Sequence, residues 1–162
     1  MVELIVGVFI FSILIVLAGG SLVSSLGLQR RALNIKRVEE NGRFVLELMT
    51  RELRVANPIN TADNSCPGSG GPSLSFTHPV NGSIEYFLFG SAVHRRVNGV
   101  DSVISNPDVE VTRLAFCISG NSSGDNRQPR VVVILGLRSG DLTSQADTLD
   151  LQTTVSQRVL KD

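Results

Sequence analysis

Hydrophobic positions obey three successive rules along this chain, and each predicts a different element. From Leu4 to Leu28 no side chain is charged, and the apolar residues fall on every face of the helix that such a run forms. At about 1.5 Å per residue that helix measures roughly 37 Å, more than the ~30 Å hydrocarbon core of a bilayer. A cleaved secretory signal would carry a basic front and a shorter apolar stretch. Here the front edge holds an acid, Glu3, and the run is longer. Residues 1–28 are therefore expected to be a retained membrane helix. Gly19 and Gly20 lie two-thirds of the way along it, and each costs about 1 kcal/mol against Ala in a helix interior. They read either as a soft point or, with Gly20 and Ser24 as a small-xxx-small pair, as a surface for close helix packing.

The second rule governs residues 29–56. Val38, Val45, Met49, Leu53 and Ala56 recur at spacings of seven, four, four and three, the single apolar stripe of an amphipathic helix. Glu39 with Arg43, and Glu47 with Arg51, stand four apart on the wet side, each pair worth a few tenths of a kcal/mol. Asn57-Pro58 is expected to end the helix, because the residue before proline is pushed out of the α region. No linker interrupts Leu28–Arg31, so one helix is expected to run from the membrane half into the amphipathic half.

Beyond a Gly, Pro and Ser-rich loop over Thr61–Pro72 the period falls to two and β-branched residues increase. The predicted strands are Ser73–His78, Ser83–Phe89, Ala92–Val97, Val109–Ile118, Arg130–Leu137 and Thr148–Leu160, with Phe89-Gly90-Ser91 as a hairpin turn. In the last strand Leu149, Leu151, Thr153 and Val155 share a face, the alternation of an antiparallel sheet covered on one side by a helix. The expected class is α+β: a long N-terminal helix packed on an antiparallel β-sheet head spanning residues 57–162.

Charge narrows the function. Fifteen basic and fifteen acidic residues cancel. Residues 29–56 carry seven Arg or Lys against four Glu, and the chain from Asn57 onward carries eight basic residues and ten acidic ones. The head therefore lacks the basic field that nucleic acid needs. The whole chain has no Trp, one Tyr and seven Phe, so stacking platforms are few as well, and the head alone is not expected to hold nucleic acid. Cys66 and Cys117 are the two cysteines; with only His78 and His94 beside them and no C-x-x-C, a disulfide is expected and no metal. On the chain-entropy model a bridge closing about fifty residues stabilises the head by about 4 kcal/mol.

Motifs that suggest chemistry lack its context. Gly120-Asn121-Ser122-Ser123-Gly124 fits G-x-S-x-G, but Asp125-Asn126-Arg127-Gln128-Pro129 follows as a turn where a nucleophile elbow needs a helix. Asp141, Asp147 and Asp150 match no EF-hand spacing, and a solvated acidic loop is expected there. Asn81-Gly82-Ser83 and Asn121-Ser122-Ser123 are glycosylation sequons, Asn81-Gly82 more simply a turn. No enzyme activity and no cofactor are expected.

The string VELIVGVFIFSILIVLAGG resembles the start of the type IV pilin superfamily, whose members place a glutamate just ahead of an apolar helix. GRFVLELMTRELRVA, the Ile84–Arg96 pattern and the last strand resemble minor pilins and minor pseudopilins, including the W- and J-type subunits. The match covers Val2-Glu3-Leu4 onward, so the family's leader cleavage and N-methylation are not carried over to this chain. The resemblance implies that Glu3 neutralises the N-terminal amine of a neighbouring subunit, and that the helix can stretch near Gly19 and Gly20 on packing. A carboxylate at a membrane edge is costly unless paired, and an acid also suits a helix N-terminus. Implied partners are other pilin or pseudopilin subunits, an inner-membrane assembly platform, and the membrane before assembly. The expected location is the cytoplasmic membrane with the head outside the cytoplasm, then a surface filament or periplasmic pseudopilus. Arg30 and Arg31 alone would argue the opposite side, since basic residues next to a membrane helix mark its cytoplasmic end. The rival reading is a single-pass anchored binding module or adhesin acting alone.

Overall fold

The computed structural model describes residues 2–56, 59–60, 64–65, 69–70, 72–120, 128–139 and 148–158. Two compact units divide the chain, Met1–Lys36 and Arg37–Asp162.

A single helix, α1, runs over Val2–Leu53. In the first unit its apolar side chains are exposed on all sides. It is long and apolar enough to cross a membrane. In the second unit one stripe is buried: Val38, Gly42, Val45, Leu46, Met49, Glu52 and Leu53, with Ala56 beyond the helix end. Every residue of the expected stripe is therefore in the core. Of the two expected ion pairs, Arg43 reaches Glu39 at 2.6 Å, while Glu47 and Arg51 form none among the described residues.

The helix stops at Leu53, three residues short of the expected end. The last turn tightens, with the Val55 and Ala56 N–H groups donating to the carbonyls of Glu52 and Leu53 at 3.3 Å. The carbonyls left over at such an end need donors. The segment after the last strand supplies them: the Arg158 N–H donates to Arg54 O at 2.9 Å, and the buried Gln157 amide donates to Ala56 O at 2.7 Å. Asn57-Pro58, expected to end the helix, lie outside the described residues.

Among the described residues ten strands follow: β1 (Ile59–Asn60), β2 (Asn64–Ser65), β3 (Ser69–Gly70), β4 (Ser73–His78), β5 (Gly82–Phe89), β6 (Ala92–Val97), β7 (Val100–Val103), β8 (Val109–Ser119), β9 (Arg130–Ser139) and β10 (Thr148–Ser156). They form not one sheet but several: a five-stranded sheet in the order β1-β4-β5-β6-β7, a three-stranded sheet β10-β9-β8, and the small ladder β2-β3. All pairings are antiparallel. The architecture is the expected α+β, a long apolar N-terminal helix with an antiparallel sheet head.

β7 was not expected, although Asn98-Gly99 lies between two short β runs. Asn98 (φ 49°) and Gly99 (φ 90°) both adopt the left-handed conformation that a two-residue hairpin turn requires. β10 ends at Ser156, not at Leu160, because Gln157 turns its side chain to the helix end; Leu160 itself lies outside the described residues.

One hydrophobic cluster unites the buried stripe of α1 with both sheets, through Phe76, Tyr86, Phe116, Val133, Leu135 and Leu137 among others. β8 feeds this core from both sides of a register shift between Val111 and Arg113. The extra residue reverses the parity of the strand. As a result Val109 and Val111 before it, and Leu114, Phe116 and Ile118 after it, are all buried. Two glycines allow close approach. A Cβ on Gly42 would lie 2.4 Å from Leu137 Cδ1 and 2.5 Å from Leu151 Cδ1, and one on Gly136 would lie 2.8 Å from Thr112 Oγ1 at the bulge.

Candidate functional site

Glu3 lies in the first turn of α1, where a carboxylate suits the exposed N–H groups and the positive end of the helix dipole. Behind it Leu4, Ile5, Phe9, Phe11, Leu14 and Val16 are all exposed, a surface that water does not tolerate at this size. Gly19 and Gly20 are helical and have open space where a Cβ would stand. Among the described residues, then, no close contact requires them to be glycine. Glu3, Gly19 and Gly20 share one apolar helix, and nothing among the described residues covers it.

The second unit holds a polar cluster that the sequence reading missed. Glu52, on the buried stripe of α1, sits over Tyr86 of β5 and Arg95 of β6, which face each other directly in the sheet register. Tyr86 Oη donates to Glu52 Oε2 at 2.5 Å. Arg95 grips the same carboxylate with both arms, Nε to Oε2 at 3.1 Å and an Nη to Oε1 at 2.5 Å. Both carboxylate oxygens are thus satisfied in a site where the Glu52 side chain is 8% exposed and that of Arg95 19%. Burial, reinforced by the hydrogen bond to Glu52, pushes the Tyr86 phenol well above its ordinary range, so it remains a donor. The Glu52 hydrogen bonds likewise raise Arg95, which keeps its charge. This cluster fastens the last turns of α1 to the five-stranded sheet. Removing one partner of such a group is costly because it strands the others.

The cysteines and histidines take separate places. Cys117 is half-buried on β8, and no cysteine is free among the described residues. Cys66, its expected partner, lies outside them, one residue after β2, which packs against β8. His78 Nδ1 accepts the Val80 and Asn81 N–H groups at 3.2 and 3.1 Å and so closes the turn after β4. His94, on β6, stacks on Phe87 with ring centres 5.3 Å apart and meets Phe89 edge-on at 5.7 Å. Asp150 is exposed on β10, while Asp141, Asp147 and the residues Asn121–Gly124 of the G-x-S-x-G string lie outside the described residues. Among the described residues no group of three or more His, Cys, Asp or Glu is placed to hold a metal ion.

A long apolar N-terminal helix with an antiparallel sheet head is an arrangement compatible with a pilin-like fold. Comparisons with protein-family models, with curated proteins and with solved structures find no match for this chain.

Proposed function

We propose that this chain is a pilin-like subunit, a minor pilin or minor pseudopilin, that assembles through its N-terminal helix into a type IV pilus, a type II secretion pseudopilus or a competence pseudopilus. The observation that carries this reading is the division of α1: exposed apolar side chains on every face in the first unit, a single buried stripe in the second. An apolar helix of this length needs lipid before assembly and other helices after it. A mere anchor has no need of an acid at its leading edge, nor of a helix that runs on to form part of the head core. Those two features favour a subunit over an anchored adhesin. Catalysis has no part in this function; the subunit acts by packing.

In this reading the chain waits in the cytoplasmic membrane with its head outside the cytoplasm. Glu3 then neutralises the N-terminal amine of a neighbouring subunit as the helices bundle, and Gly19 and Gly20 let the helix stretch or pack closely. Glu3→Ala should leave the protein in the membrane but deplete it from sheared filaments. Equal amounts of native and variant protein in the sheared fraction would refute that role.

The exported head also carries a Cys66–Cys117 bridge in this proposal, tying the loop after the helix to β8. Oxidising compartments favour such bonds, and β2, which ends just before Cys66 in sequence, packs against β8. Mass spectrometry of protein freshly taken from the envelope should find one bridged peptide pair. Two free thiols would remove the bridge and favour a cytoplasmic head.

A further inference from the structure

We propose that the outward face of β5, β6 and β7, with the hollow beside it, binds a neutral saccharide. This function goes beyond assembly and does not depend on it.

The face carries a row of flat groups. The Arg96 guanidinium lies 4.6 Å over the Phe87 ring, Phe87 stacks on His94, and His94 meets Phe89 edge-on. Phe89, at the hairpin that Gly90 turns with φ 61°, is 71% exposed, and Val103 is 56% exposed. Val103 stands opposite His94 in the β6–β7 register, and Ala92 stands opposite Phe89 in the β5–β6 register. Those same two residues line a hollow of about 400 Å³ together with Ser91, Ser105, Asn106 and Glu110. The aromatic row and the hollow are therefore continuous, and the volume is that of a small-ligand site.

The chemistry selects the ligand. Arg96 is held by Glu85 at 2.7 Å and by Asp101 at 2.7 and 3.2 Å. Two carboxylates thus meet one guanidinium, and the face offers little attraction to a phosphate or another anion. The hollow is rich instead in groups with hydrogen-bonding capacity to spare. Ser105 Oγ accepts the Val93 N–H at 3.0 Å and retains its own proton to donate. Asn106 Oδ1 accepts the Asp108 N–H at 2.9 Å, which leaves its amide NH₂ to donate. A pyranose presents both requirements at once: a C–H face that packs on an aromatic ring or on alanine and valine, and hydroxyls at its rim that pair with hydroxyl, amide and carboxylate groups.

The test is saturation-transfer NMR of the full chain in a zwitterionic detergent without sugar headgroups, against methyl glucoside, methyl galactoside, methyl mannoside, N-acetylglucosamine and their β-linked disaccharides. At least one sugar should receive magnetisation on its ring C–H protons. Phe89→Ala should weaken that binding roughly tenfold, as loss of one stacking ring implies, and Asn106→Ala should do likewise. Val80→Ser, at the exposed turn between β4 and β5, should leave it unchanged, and the melting temperature of each variant reports that the head is folded. No transfer to any sugar of the panel would overturn the proposal. So would transfer that survives both substitutions, or tighter binding of a single-stranded oligonucleotide to the same face.

Discussion

Deleting residues 1–56 should leave a head that aggregates, whereas deleting residues 1–28 should leave one that melts cooperatively. The shorter deletion removes no buried residue, because the core side chains of α1 begin at Val38. The longer one removes Val38, Val45, Leu46, Met49, Leu53 and Ala56, all buried in the single cluster that joins both sheets. It also strips the Ala56 carbonyl from Gln157 and the Glu52 carboxylate from Tyr86 and Arg95. At roughly 25 cal/mol per Å² of apolar surface, uncovering several hundred Å² costs on the order of 10 kcal/mol, which matches the entire stability of a small domain. Calorimetry and light scattering on the two fragments separate the outcomes. A cooperative melt from residues 57–162 alone would reduce the helix to a stalk and favour the adhesin reading.

The second large effect is expected at the polar cluster. Arg95→Met should destabilise the head by about 3–5 kcal/mol, the usual result of leaving a buried carboxylate without its partner. Glu52→Leu combined with Arg95→Met should recover most of that loss, since an apolar pair of similar volume no longer strands a charge; Tyr86 Oη alone is then left without an acceptor. Urea midpoints of the two single variants and the double variant form a cycle that measures the coupling. If the single and double variants lose the same amount, the ion pair is not what fastens helix to sheet.

Much of this fold is legible from spacing. The seven-four-four-three stripe of α1 identified core residues because a helix has only one face to offer a sheet. Ser73–His78 and Ala92–Val97 were marked to the residue by alternation and flanking turns. What escaped was long-range. Glu52 lies three residues after Met49 on the same stripe, while Tyr86 shares its strand face with Ile84 and Leu88, and Arg95 shares its own with Val93 and Val97. A buried polar triad is consistent with that pattern, yet only the pairing of β5 with β6 and the position of α1 above them brings the three together. In β8 the register shift between Val111 and Arg113 moves the buried positions from odd to even numbers, which a strict period of two does not anticipate. The exposed first half of α1 is the reverse case, since composition alone marks it as needing a covering that the described residues do not supply.

That covering is the central claim, and photo-crosslinking tests it most directly. A photoreactive amino acid in place of Phe11, an exposed side chain of the apolar helix, should capture lipid in the membrane fraction. In the sheared filament fraction it should capture other helix-bearing subunits. Capture of lipid alone in every fraction would contradict assembly through this helix.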